Sequence, residues 1–491
     1  MRDGGASPPE LALPEKRAER GGGLSDPLEV NMKPGQPTSD LTSPHRRDFI
    51  KQLAGANSLA PVVVPAGVFG TQAPSERVNL AIFGVGGRGS YLLSRFMEFS
   101  DVRVVAICDA YRSRREQKRQ ELNRYYGGDY VRAYQNPWEI FERSDVDAVV
   151  IATPDHWHVP LALAAARAGK DMYVEKPLSV AMTWSWRLRE ELRKNGRIFQ
   201  YGTQQRSEAH FRYACELVRN GYLGEIQRVE VWCPDASQQW ESYGGRPSLS
   251  VPRYGSLRPV EPPEDLDYDL WCGPAPLRPY TVDRCTSFGA YHIYDYSLGF
   301  IAGWGVHPLD IAQWGLGMDH TSPVFYEGTG HIPEYGLLDT VDQWDIHCYY
   351  ANGVRLRFMD FRTARPVVSR YRQRWSDHGT TFFGTQGWIS VDRGGLEASR
   401  PSLQRVEFRA NDERLYRSDD HYRNFIDCVK RRQPTVSPFE AALRCDTISH
   451  LSDLVVRLRR PLEWDPQTEK VVNDQEANRR LHRDMRAKWA I

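Results

Sequence analysis

The sequence predicts an α/β protein whose first folded half is a doubly wound parallel sheet and whose second half is rich in strands. Three observations carry that prediction. From residue 78 to about residue 200, short apolar runs alternate with helix-compatible stretches, the pattern of a parallel sheet covered by helices on both faces. The first of these runs, 78–83, leads without a break into Gly84-Val85-Gly86-Gly87-Arg88-Gly89. From residue 227 onward, segments dense in β-branched and aromatic residues recur between turn-forming residues.

Before the first strand the chain reads as an address. Residues 1–45 are rich in Pro, Gly, Ser and charge and have no apolar period, so they are expected to be a disordered leader. Arg46-Arg47-Asp48-Phe49-Ile50-Lys51 then precedes an uncharged run to Gly70, the layout of a twin-arginine export signal over 46–74. Gly55, Pro61, Pro65 and Gly67 make that run a poor spanning helix, so an exported, periplasmic protein without stable membrane insertion is expected.

Across all 491 residues, 64 lysines and arginines nearly balance 63 aspartates and glutamates. No net field would draw the chain to nucleic acid or an anionic membrane, and its expected partners are small and neutral. The eight cysteines lack the paired spacing of a zinc or redox site, so no metal is expected and most should be buried hydrophobes. A Cys272–Cys285 disulfide stays open for an exported chain.

The glycine turn meets the G-x-G-x-x-G spacing between a strand and a helix beginning near Ser90. Gly84 permits the tight turn, Gly86 lets a pyrophosphate approach the backbone, and Gly89 lets the helix pack on the strand. A second strand, 102–107, ends at Asp109, placed where a carboxylate accepts hydrogen bonds from an adenosine ribose. That acid favours NAD, while Arg112, Arg114 and Arg115 leave NADP open. A third strand, 147–152, ends at Thr153-Pro154-Asp155-His156-Trp157-His158, a helix covers 160–168, and the next strand runs into Glu175-Lys176-Pro177. Ligands of such sheets bind beyond the carboxyl ends of the strands, where Thr153, His158 and Lys176 fall.

With these motifs in this order, joined by Gly202-Thr203-Gln204-Gln205-Arg206 and Gly305-Val306-His307-Pro308-Leu309-Asp310, the chain resembles the glucose-fructose oxidoreductase, inositol dehydrogenase and rhizopine-catabolism (Gfo/Idh/MocA) family over residues 78–466. The resemblance implies a dinucleotide-binding domain over 75–200, then an α+β substrate and oligomerisation domain over 201–420 with an open, mostly antiparallel sheet. Helices and a tail over 421–491 would return to the first domain. Segments 227–233, 344–350, 354–359, 380–384 and 388–391 suit strands of that sheet, and Asn352-Gly353 is a hairpin signal. Helices are expected at 421–431 and 438–458.

By the same resemblance, Lys176 matches the family's catalytic lysine and His307 its catalytic histidine. The expected cofactor set is Gly84, Gly86, Gly87, Arg88 and Gly89 of the turn with Asp109, Thr153, Pro154, His158, Glu175, Lys176 and Gln204. Oxidising a secondary alcohol needs a base within hydrogen-bond reach of the hydroxyl, and a lysine with a lowered pKa and an imidazole suit that task. Asp310, Asp295, Tyr294 and Trp304 are the expected substrate contacts, and the aromatic density between residues 240 and 314 suits stacking on sugar rings. One departure stands out: many relatives carry an aspartate four residues before the histidine, and this chain has Gly303. Either Asp310, Asp295 or Tyr294 takes over its role, or the reaction needs less help from His307.

The leading expectation is a sugar or polyol dehydrogenase with tightly held NAD, assembled as a homo-oligomer through the second sheet. The alternatives are a redox-neutral NAD-dependent glycosidase and a dinucleotide-binding sensor without turnover.

Overall fold

The computed structural model describes residues 76–236 and 255–491. The leader, the export signal, Trp240 and Tyr243 therefore lie outside the described residues. The first sheet has six strands: β1 (Val78–Phe83), β2 (Val102–Cys108), β3 (Arg132–Tyr134), β4 (Ala148–Ile151), β5 (Asp171–Val174) and β6 (Phe199–Tyr201). Their spatial order is β3-β2-β1-β4-β5-β6, and every pairing is parallel. The order reverses between β1 and β4, which opens a crevice beyond their carboxyl ends. β4 and β5 are buried at every position, as strands covered on both faces must be.

Four helices cover this sheet: α1 (Gly87–Met97), α2 (Arg112–Tyr126), α3 (His158–Arg167) and α4 (Met182–Asn195). α1 buries Leu92, Leu93 and Phe96 on one stripe. α3, largely alanine and leucine, is buried almost throughout against β5 and α4.

The second sheet has nine strands: β7 (Ile226–Cys233), β8 (Phe325–His331), β9 (Gln343–Tyr349), β10 (Arg355–Asp360), β11 (Gly379–Gly384), β12 (Gly387–Asp392), β13 (Gly395–Ala398), β14 (Leu462–Asp465) and β15 (Lys470–Val471). They lie in the order β13-β12-β11-β7-β10-β9-β8-β14-β15. All pairs are antiparallel except β7 with β10, so the sheet is mixed, although mostly antiparallel as expected. β9 and β10 form the hairpin signalled by Asn352-Gly353, whose Asn352 side chain accepts from the Val354 amide.

Four more helices set the site. α5 (Ala209–Arg219) and α7 (Val306–Leu316) pack on each other, α6 (Tyr268–Cys272) lies beside Trp157 beyond the carboxyl ends of β1 and β2, and α8 (His421–Arg431) rests on α1. A fifth, α9 (Phe439–Leu458), is buried over nearly all of its 20 residues and joins α7 to α4 and β6. α7 is buried from Val306 to Gly315, so its His307 is fixed by packing on every side. All eight cysteines are buried thiols; Cys272 and Cys285 share one small core cluster without a bond between them.

Candidate functional site

The glycine turn is shaped by close approach. Gly84 has φ +79°, and a Cβ there would lie 2.6 Å from the Ala152 carbonyl oxygen. A Cβ on Gly89 would lie 1.7 Å from the Gly84 carbonyl, so only glycine lets α1 begin this near to β1. In front of Gly86 a Cβ would meet nothing nearer than the Arg114 guanidinium at 3.6 Å, and in front of Gly87 nothing within 4 Å. The turn thus presents open backbone at the N-terminus of an 11-residue helix, a place suited to phosphate.

Asp109 accepts from the Val85 and Tyr111 amides, both at 2.9 Å, which fixes its carboxylate at the end of β2. Burial raises its pKa against those two hydrogen bonds. Beside it an apolar pocket is lined by Phe83, Gly84, Asp109, Thr153, Pro154, Trp157, Leu161, Leu270 and Trp271. The last two come from α6, which is tied down by Trp157 Nε1 donating to the Leu270 carbonyl at 3.0 Å. The segment 483–491 braces the outside: Trp489 packs edge-on against Trp157 at 5.3 Å, and Arg486 donates to Asp269 and to the Gly273 carbonyl. An adenine base fits this apolar slot, and the ribose hydroxyls would meet Asp109. Thr153 Oγ1 is buried there without a hydrogen-bond partner, which suits a ligand oxygen or amide. The residues present therefore fit a nicotinamide dinucleotide.

At the end of β5, Glu175 is almost fully buried and is held by Arg88, with both Nε and Nη2 2.6 Å from Oε1. Burial would raise the Glu175 pKa, but Arg88 and Lys176 outweigh it and keep the carboxylate ionised. Gln204 bridges Glu175 and the Tyr173 hydroxyl. Lys176 Nζ donates to the Gly303 carbonyl at 2.8 Å and lies 5.3 Å from the centre of the Tyr291 ring. Burial lowers its pKa, opposed by Glu175 and Asp155.

His307 is 4% exposed, and its Nδ1 has no hydrogen-bond partner. Burial first, then the charges of Arg393 and Lys176, hold it well below the usual imidazole range, so it is neutral at pH 7. The ring of Trp304 meets it edge-on at 5.5 Å. Lys176, His307 and Trp304 therefore converge, with the lysine bonded to the backbone four residues before the histidine.

Several sequence expectations are corrected. Asp310 does not face an open pocket: it is fully buried, and Arg206 grips both its oxygens from Nε and Nη2 at 2.7–2.9 Å. Arg206 also donates twice to Asp319. Asp295 pairs with Arg278, and the Tyr294 ring lies between the guanidinium groups of Arg457 at 3.5 Å and Arg483 at 3.9 Å. None of the three replaces the missing aspartate beside His307, whose Nδ1 has no hydrogen-bond partner; Gly303 instead offers its backbone carbonyl to Lys176. His158 is 1% exposed and spans the carbonyls of Pro177 and Thr153 at 2.6 and 2.9 Å, so it braces the two loops at the strand ends.

Sequence reasoning missed Asp155. It opens the 3-10 turn after β4, is 4% exposed, and sits in electrostatic contact with Lys176. Burial pushes its carboxyl up to about 7, partly relieved by Ser297 and Lys176. An acid directly behind a strand end, at the edge where ligands bind, was the available signal. Among the described residues no group of three or more His, Cys, Asp or Glu is arranged to hold a metal ion. Nor is any helix among them long and apolar enough to cross a membrane.

Open glycine backbone, a fixed carboxylate at the second strand's end and an apolar slot at the switch point together define an NAD-binding protein of the Rossmann class. A family model described as an oxidoreductase family with an NAD-binding Rossmann fold matches residues 78–203. Its companion, the C-terminal alpha/beta domain of that oxidoreductase family, matches 244–361 and 396–491. The chain belongs to the Gfo/Idh/MocA oxidoreductase family. Among curated relatives, it is 30% identical over 214 residues to an alpha-N-acetylgalactosaminidase of Shewanella oneidensis and to a glycosyl hydrolase family 109 protein of Shewanella sp. strain ANA-3. Each match covers 38% of this chain and 45% of the relative, so the aligned stretch is under half the length of either. Among solved structures, GenD2 from gentamicin A biosynthesis, in complex with NAD, superposes with TM-score 0.55 at 18% identity over 82% of this chain and 99% of that one. A myo-inositol 2-dehydrogenase from Lactobacillus plantarum gives TM-score 0.52 at 16% identity over 79% and 99%. These likenesses establish the fold.

Proposed function

We propose that the protein transfers a hydride between a secondary hydroxyl of a sugar, glycoside or inositol-like polyol and a tightly held nicotinamide dinucleotide. The observation that carries this reading is the convergence of Lys176 Nζ, held at 2.8 Å by the Gly303 carbonyl, with the buried, neutral His307. When bound, the nicotinamide supplies the hydride acceptor or donor. Lys176 keeps two donors beyond the one spent on Gly303 and orients the substrate hydroxyl. His307, being neutral, accepts the hydroxyl proton during oxidation and returns it during reduction. Asp155 behind Lys176 is positioned to share that proton, because its pKa is near the working range. Trp304 offers a ring face for the C–H face of a sugar.

The wall that Leu270 and Trp271 raise beside the adenosine slot, with Trp489 backing Trp157 behind it, supports slow cofactor exchange. So does the twin-arginine pattern at Arg46-Arg47, since a protein exported folded would carry its dinucleotide with it. Assembly through the face of the second sheet belongs to the same proposal. A second reading, redox-neutral cleavage of a glycosidic bond, is favoured by the curated relatives' names.

The experiment is to purify the protein from the exported fraction, identify bound dinucleotide by mass spectrometry and screen glycosides for a change in nicotinamide absorbance. Steady accumulation of reduced nicotinamide supports the dehydrogenase, and glycoside cleavage without it supports the second reading. Lys176→Met should cut turnover by roughly three orders of magnitude, the scale of losing a group that acts on the reacting proton. Full turnover in Lys176→Met would remove Lys176 from the chemistry, whereas bound dinucleotide with no turnover of any glycoside would leave a dinucleotide-binding sensor.

A further inference from the structure

Trp304 is the partly exposed ring next to His307, and two other side chains crowd it. The His378 ring lies 5.3 Å away, and the Arg393 guanidinium lies 4.7 Å from its centroid. Arg393 occupies the turn between β12 and β13. That turn is rigid: buried Asp392 accepts from Arg372 at 2.5 Å, Arg374 at 2.7 Å and the Gly394 amide at 2.7 Å. The Arg393 amide donates to His378 Nε2 at 3.4 Å. A pinned backbone presents the side chain at lower entropic cost.

The neighbouring basic groups have acidic partners. Arg88 has Glu175 at 2.6 Å, and His378 has Asp377 at 2.6 Å. Arg393 makes no ion pair within 4 Å among the described residues; its guanidinium is partly desolvated despite its exposed backbone turn, and Glu208, Asp377 and Glu175 act on it only from farther off. Yet its charge reaches both His307 and Lys176. A guanidinium with its five donors unspent, flanking a stacking ring, has the fork geometry that binds a carboxylate with two parallel hydrogen bonds.

We propose that the substrate of this site is an acidic carbohydrate, a glycuronide or similar sugar carboxylate, whose ring stacks on Trp304 and whose carboxylate is held by Arg393. The inference rests on the carbohydrate reading above and refines it. It also revises the expectation of neutral partners drawn from the chain's balanced charge, because the Arg393 guanidinium beside Trp304 makes no ion pair within 4 Å among the described residues.

The test uses the holoprotein with its bound dinucleotide. Binding of matched pairs, glucuronate against glucose and galacturonate against galactose, is measured by titration calorimetry. Turnover of the matching p-nitrophenyl glycuronides and glycosides is followed by nicotinamide absorbance and nitrophenol release. The acidic member of at least one pair should bind and turn over at least tenfold better than its neutral partner. In Arg393→Gln the acidic-to-neutral ratio of kcat/KM should fall at least 30-fold, mostly through KM, and Arg393→Lys should recover part of the loss. Preference for the neutral member in every pair, or a ratio unmoved by Arg393→Gln, would overturn the inference and leave the dehydrogenase reading standing. If no sugar of either kind binds or reacts, the dehydrogenase reading falls and takes the inference with it.

Discussion

Replacing Asp310 with asparagine tests whether this acid serves the substrate or the scaffold. The Arg206 and Asp310 side chains are 2% and 0% exposed, and three of the five hydrogen bonds that Arg206 makes to carboxylates end on Asp310. An amide there removes the charge and turns a donor toward a donor. Breaking one side of a buried ion pair costs about 3–5 kcal/mol, and Asp319 would retain the rest of the guanidinium's partners. At about 2 cal/mol/K of unfolding entropy per residue, a unit of roughly 400 residues loses about 1 °C of Tm for each 0.9 kcal/mol. Asp310→Asn should therefore melt about 3–6 °C below the wild type, read by circular dichroism. KM for the carbohydrate, measured below the transition, should change less than twofold. A variant that melts with the wild type but raises KM tenfold would return Asp310 to the substrate and refute the placement.

Gly89→Ala should fold yet be purified with little dinucleotide by mass spectrometry, because a methyl 1.7 Å from the Gly84 oxygen forces α1 away from the turn; full cofactor content would contradict the geometry. Asp155 has a folded-state pKa raised to about 7 from 3.8, so its contribution to stability is complete below about pH 4 and is lost as pH rises through 7. Asp155→Asn should accordingly gain Tm relative to the wild type between pH 5 and pH 8, and a difference constant across that range would show that the carboxyl is not desolvated. Trp489→Ala removes the brace behind Trp157 and should speed dinucleotide release about tenfold in a displacement experiment, the effect of about 1.4 kcal/mol; an unchanged release rate would mean that the adenosine slot opens elsewhere.

Much of this was legible in the chain. β1, β2 and β4 announced themselves as apolar runs ending in Gly84, Asp109 and Thr153, because strands buried on both faces admit few polar residues. α8 and α9 lie where the family resemblance implied late helices. What stayed hidden is long-range. The parallel pairing of β7 with β10 joins strands separated by more than 100 residues, and no local pattern encodes such register. Arg206 reaches Asp310 across 104 positions, so an aspartate one helical turn past a histidine looked free to bind substrate. The wall of the adenosine slot is likewise built from a distant piece, α6, and backed by another, Trp489 behind Trp157, whose sequences carry no nucleotide-binding signature.

The anchor of Lys176 on the Gly303 carbonyl has an evolutionary consequence. A main-chain oxygen survives every substitution, so no single codon change at 303 can delete this acceptor. Selection there must act on bulk: a methyl would sit 3.4 Å from the Tyr291 ring and be tolerated, whereas larger groups would displace that ring from beside the ammonium. Drift at this position would thus be filtered by size and be indifferent to charge, the reverse of what an aspartate at the same place would impose.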